Sequence, residues 1–294
     1  MQTVAESLAV AGADLLFGVA ALLGDDAPLE DVNKPHSSVV FIGPSFGFGD
    51  LPLEKKRLQS RLNEDHRRFF ALVRALLRTQ STEVLKRIDE RETTVREVIE
   101  QEYLVWHSTR GEALAAVKKT VHETLEAVGH LHDPVEGSVV LVPDTNALIL
   151  SPAFQEWSFE GIPEFEVLLV PLLLSELDTL KTNHRDPNVK QKAQAVIRQI
   201  KEYARRGSLS DGVTIVANRI RLRALAIEPR VEETLPWLDP TVPDDRMLAS
   251  TVEAMRMHPR STIALVTGDI NLQNKATFAG VPFLEPSVGA DAGA

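Results

Sequence analysis

Acidic residues stand at four places where an α/β chain presents side chains to a ligand. Asp144 interrupts the apolar run "VVLVPDTNALIL", Glu176 and Asp178 lie in "PLLLSELDTLK", Asp244 and Asp245 in "TVPDDRMLAS" and Asp269 in "ALVTGDINLQNKA". Each sits beyond a short β-branched run or near the start of a helix, and a parallel sheet binds ligands at the carboxyl ends of its strands. Taken singly, any of them reads as a helix cap, because a carboxylate accepts hydrogen bonds from the free N–H groups at a helix start. Gathered at one edge they repel each other unless a cation lies between them. Oxygen donors without cysteine select a hard divalent ion, Mg²⁺ or Mn²⁺. Such an ion acidifies water and steadies a leaving oxygen, which is the chemistry of phosphodiester hydrolysis.

The elements that must position these acids are legible in the patterning. From about residue 137 onward, apolar β-branched runs at 138–143, 166–171, 213–217, 262–267 and 281–284 alternate mostly with helical patterns. This predicts one α/β domain over 137–294, with a parallel sheet buried on both faces by helices. Upstream the grammar differs. Leu58, Leu62, Phe69, Val73, Leu76 and Leu77, then Leu85, Ile88, Val95, Ile99 and Trp106, then Leu114, Val117, Val121, Leu125 and Val128 recur at helical spacings. They predict an all-helical region over 54–136, folded on its own chain or offering helices 54–130 to a protein partner or a second copy. Residues 25–53, with Pro28, Pro35, Pro44 and Pro52, read as loop or linker. Residues 1–24 read as a short amphipathic helix. No basic residue precedes "LLFGVAALLG", Glu6 and Asp14 interrupt its surroundings and "DDAP" follows it, against a secretion leader. The expectation is that no segment reaches the roughly 20 apolar residues of a membrane span.

Charge bears on partners. The net charge is −10, yet residues 1–50 carry seven acids against one base while residues 51–100 carry twelve bases against nine acids. A nucleic acid would therefore need local bases or a metal to offset phosphate repulsion. Arg219, Arg221 and Arg223 are spaced two apart, so an extended segment points all three to one side, as a phosphate row or as a charged sheet edge. Lys181 and Arg185 follow Glu176 closely. Aromatic residues make up 5 % and few interleave with these bases, so no stacking platform for bases is evident. The chain has no cysteine, which removes disulfides and thiolate chemistry and fits a cytoplasmic setting.

"LVPDTNALI", "VPLLLSELDTLK", "PDDRMLAS" and "LVTGDINLQNKA", in that order over the carboxy-terminal half, resemble the PIN-domain family of metal-dependent nucleases. The resemblance implies a PIN-like, Rossmann-like fold and an Mg²⁺- or Mn²⁺-dependent endoribonuclease whose products carry 5′-phosphate and 3′-hydroxyl ends. It makes Asp144, Glu176, Asp245 and Asp269 the metal ligands, with Asp244 a close neighbour, and Asn146, Thr267 and Asp178 supporting polar residues. Asp245 is preferred over Asp244 because an aliphatic and a small residue, Leu248 and Ala249, follow it at the family's spacing. Gly268 stands where many relatives carry an acid or polar residue. Two other classes stay open. One is a non-catalytic PIN-like module that binds RNA or protein; the other is a phosphoacceptor domain using Thr267 and Lys275, against which the spacing argues.

Overall fold

The structure is a computed structural model that describes residues 2–25, 27–31, 46–102, 106–132 and 137–286. The chain divides into two units, Ala5–Leu131 and His132–Ala294 with Met1–Val4.

The first unit is helical. Helix α1 (Val4–Leu23) is followed by a short antiparallel pair, β1 (Glu30–Asp31) and β2 (Phe46–Gly47), and then by α2 (Leu53–Leu77), α3 (Thr82–Glu100) and α4 (Arg110–Gly129). Residues 32–45 of the expected linker, including Pro35 and Pro44, lie outside the described residues. The spaced apolar residues form the core: Leu62, Phe69, Val73 and Leu76 of α2, Ile88, Val95 and Ile99 of α3, and Val117 and Val121 of α4 are all buried. Each contributes about 1.5–3 kcal/mol by leaving water. The pattern expected to run on to Trp106 stops at Gln101, whose left-handed backbone (φ 57°) ends α3, and Trp106 is exposed. A glutamine does here what glycine usually does, so the sequence carries no stop signal.

Helix α1 corrects one expectation. It has 20 residues and an 18-residue window of mean hydropathy 1.7, long and apolar enough to cross a membrane by length and composition. Within its unit it packs one face inward, and 39 % of that window is buried. Leu15, Val19 and Leu22 are buried, and Gly12 and Gly18 bring its backbone against Val121 and Leu62. Phe17 stands exposed on another face.

The second unit is α/β. Its elements are β3 (Val139–Pro143), α5 (Thr145–Leu150), β4 (Phe165–Leu169), α6 (Pro171–Asn183), α7 (Pro187–Ala204), β5 (Val213–Val216), β6 (Ile220–Ala224), α8 (Pro243–Met257), β7 (Thr262–Val266), α9 (Ile270–Ala279) and β8 (Phe283–Leu284). The strands form one sheet in the order β5-β6-β4-β3-β7-β8. Neighbours are parallel except β5 and β6, which form an antiparallel hairpin. The predicted α/β sheet after a helical region is borne out, with two differences. There is a sixth strand, β6, and the sheet is mixed at one edge. Asn218 turns the β5–β6 hairpin with φ 53°, a conformation asparagine tolerates better than most residues. Around β3 the chain order reverses: β4 lies on one side and β7 on the other, with Pro143 in register with Val266. Such a switch point opens a crevice at the carboxyl strand ends.

Candidate active site

A cavity of about 440 Å³ lies at that crevice, and Asp144, Glu176, Asp244 and Asp269 line it together with Asn146 and Arg246. Four carboxylates far apart in sequence therefore share one wall, as the strand-end argument required. Local structure explains how each arrives. Strand β3 ends at Pro143, and Asp144 then caps α5, its Oδ1 accepting from the Ala147 N–H at 2.6 Å. Its Oδ2 accepts from the buried Thr267 hydroxyl at 2.5 Å, and the same hydroxyl oxygen accepts from the Asp269 N–H at 3.0 Å. Thr267 thus ties the ends of β3 and β7 together. Asp269 caps α9 through the N–H groups of Asn271 and Leu272. The helix-cap reading and the pocket reading of these two acids are both correct, because the helix N-termini converge on the crevice. Their dipoles offset part of the carboxylate repulsion.

Glu176 arrives differently. Pro171 opens α6, so Glu176 and Asp178 sit in its interior instead of at its start. Glu176 is half-buried and accepts from the Thr145 hydroxyl, whereas Asp178 is exposed and bonds Lys181 at 2.5 Å. Asp178 is accordingly neither a cap nor part of the cavity wall. The two acids that open α8 diverge. Asp244 faces the cavity, while Asp245 is buried, taking Lys275 on Oδ1 at 2.7 Å and the Asp239 N–H on Oδ2 at 2.9 Å. Lys275 also reaches Asp244, its Nζ 3.5 Å from Oδ2, so one ammonium spans the two adjacent acids. The resemblance prefers Asp245 as the ligand, whereas Asp244 is the one of the pair that lines the cavity.

Burial pushes the Asp144 carboxyl up from its ordinary value, and the nearby charges of Asp269 and Glu176 push it further, against the pull of its bonds to Thr267 and Ala147. Among the described residues no histidine lines the cavity, and the chain has no cysteine. The donors are hard, anionic oxygens, and this set suits Mg²⁺ or Mn²⁺ in type and charge. Among the described residues no three His, Asp or Glu side chains are grouped to hold a metal ion. Each carboxylate on the wall meets a protein donor: Asp144 the Thr267 hydroxyl, Glu176 the Thr145 hydroxyl, Asp244 the Lys275 ammonium and Asp269 the Asn271 N–H.

The predicted basic row is not brought to the site. Strand β6 lies between β5 and β4 and is no edge. Arg219 precedes the strand and donates to the Trp157 carbonyl, and Arg221 donates to the Asp211 carbonyl. Both line a separate cavity at the amino ends of β3, β4 and β6, the opposite end of the sheet from the acids. Arg223 is paired with the buried Glu166 at 2.6 Å and donates to His258 Nε2, so its charge is satisfied internally. Lys181 and Arg185 belong to the end of α6 and the turn after it, and neither lines the acidic cavity. Sequence reasoning missed Arg246, Thr145 and the placement of Lys275. The signal for Arg246 was present: it is the base inside "PDDRML".

Residues 141–285 match the family model of the PIN domain. The carboxy-terminal half is a PIN domain. The resemblance carried by its four motifs is thereby borne out, and with it a nuclease-like fold. No curated protein matches the chain. The acids of the PIN domain at the carboxyl strand ends, rather than the helical unit, are thus the place to look for chemistry.

Proposed function

We propose that the PIN domain is an Mg²⁺- or Mn²⁺-dependent endoribonuclease that hydrolyses RNA phosphodiesters to 5′-phosphate and 3′-hydroxyl ends. The observation that carries this reading is the single cavity walled by Asp144, Glu176, Asp244 and Asp269 at the switch point of the sheet. Those four would hold the cation, with Asp245 behind them pairing Lys275. When bound, the cation supplies charge stabilisation and acidified water for attack on phosphorus. The chain supplies the rest. Thr267 fixes Asp144, Thr145 orients Glu176, and the exposed Asn146 stands at the rim with an amide that can donate to a phosphate oxygen.

The test is cleavage of single-stranded RNA by the purified full chain with Mn²⁺. Cleavage is expected, and it should disappear in EDTA and in Asp144→Asn. Cutting that survives both changes sinks the mechanism. If calorimetry finds no Mn²⁺ binding in the millimolar range or tighter, the non-catalytic binding module becomes the better reading.

A further inference from the structure

Among the described residues, Arg246 is the only basic side chain lining the acidic cavity. It follows Asp244 and Asp245 on α8, and its guanidinium is clamped in a bidentate pair, Nε and Nη2 donating to the two oxygens of Glu228 at 2.7 and 2.9 Å. The clamp uses one edge of a planar fork and leaves the Nη1 donors uncommitted. Both partners are about one-third exposed, so solvent screens part of their attraction. The two-point contact fixes the orientation of the guanidinium as well as its position. Glu176 lies close enough to attract the same guanidinium. Without Glu228, the cation would be drawn onto that carboxylate. With Glu228 it is held as a fixed positive group on an otherwise anionic wall.

We infer that Arg246 is a phosphate-binding residue of this site and Glu228 the positioning residue that aims it. The inference rests on the nuclease reading above and names how the substrate is tolerated there. A phosphodiester approaching four carboxylates is repelled, and the uncommitted edge of Arg246 is where the wall can receive a non-bridging oxygen. A guanidinium fork matches phosphate geometry, and a lysine in its place could not serve Glu228 and phosphate with two separate planar edges.

The experiment measures binding of a labelled single-stranded RNA of mixed sequence to the full chain in Ca²⁺, across a salt series, for wild type, Arg246→Met, Arg246→Lys and Glu228→Gln. Cleavage in Mn²⁺, Mn²⁺ calorimetry and thermal melts accompany it. Arg246→Met is expected to weaken RNA roughly tenfold or more and to reduce the slope of log affinity against log salt by about one. Mn²⁺ affinity should hold or rise, because a cation beside the carboxylates has gone. Arg246→Lys should recover part of the RNA affinity, and Glu228→Gln should raise KM more than it lowers kcat. Wild-type RNA affinity and salt slope in folded Arg246→Met and Arg246→Lys would overturn the inference, and so would loss of melting temperature with unchanged binding by the folded fraction. A wild-type protein that binds RNA with the Arg246-dependent slope yet never cuts would sink the nuclease reading and leave this one standing.

Discussion

Asp144 shows how one residue caps a helix and faces a cavity at once. Its carboxylate caps α5 and takes the Thr267 hydroxyl, yet burial and two neighbouring acids raise its pKa. A group raised in the folded state stabilises the fold fully only below its unfolded pKa, and that contribution is lost as pH rises through the folded value. At neutral pH the ionised Asp144 is thus a destabilising presence when no cation offsets it. Asp144→Asn is expected to raise the melting temperature of the metal-free protein by a few degrees while abolishing cleavage, the trade seen where sites are built from repelling groups. Differential scanning calorimetry in EDTA checks it, and a lower melting temperature would mean that the capping bond outweighs the buried charge. The same residue shows what was legible. A carboxylate after an apolar run is visible in sequence, but the hydroxyl that fixes it comes from 123 positions away.

At the scale of elements, packing separates two glycines that propensity treats alike. A Cβ on Gly18 of α1 would meet Leu62 Cδ2 at 2.3 Å, whereas nothing lies within 4 Å of a Cβ on Gly129 at the end of α4. Gly18→Val should therefore cost about 1–3 kcal/mol by overpacking the α1–α2 contact. Gly129→Ala should gain up to about 1 kcal/mol from helix propensity alone. Urea denaturation of the two variants tests the contrast, and shifts of the same sign would refute it. Element existence was largely readable, because burial imposes periods of 3.6 and 2 on the chain. Element ends were less so. Gln101 stops α3 without a glycine, and Pro171 starts α6 five residues ahead of Glu176, which the sequence puts at or near the helix start.

For the molecule as a whole, acid sensitivity should centre on the helical unit. His66 is buried on α2 with Nε2 3.0 Å from the Glu92 carbonyl, which can only accept, so Nε2 carries a ring proton. Burial, helped by Arg96, Arg67 and Arg74, lowers its pKa from 6.5 to about 4. Between those values the unfolded chain binds the extra proton, so stability is full above pH 6.5 and falls as pH drops toward 4. The loss is on the order of 3 kcal/mol at 1.36 kcal/mol per unit. Urea midpoints followed by circular dichroism should fall between pH 7 and pH 4.5, and His66→Met should remove most of that dependence. An equal pH response in the variant would place the sensitivity elsewhere.

What the sequence determined by itself is the set of acids, the alternation of strand and helix that carries them, and the amphipathic stripes of the helical half. These follow from residue type and local period, which a chain cannot hide when it must bury one face. The tertiary structure decided which acids face the cavity, choosing Asp244 and turning Asp245 to Lys275. It also set Arg219 and Arg221 at the far end of the sheet, spent Arg223 on Glu166, and left Arg246 as the cation on the acidic wall. Those outcomes depend on strand order and on ion pairs between segments distant in the chain. Neither leaves a period in the sequence, so only the folded arrangement reveals them.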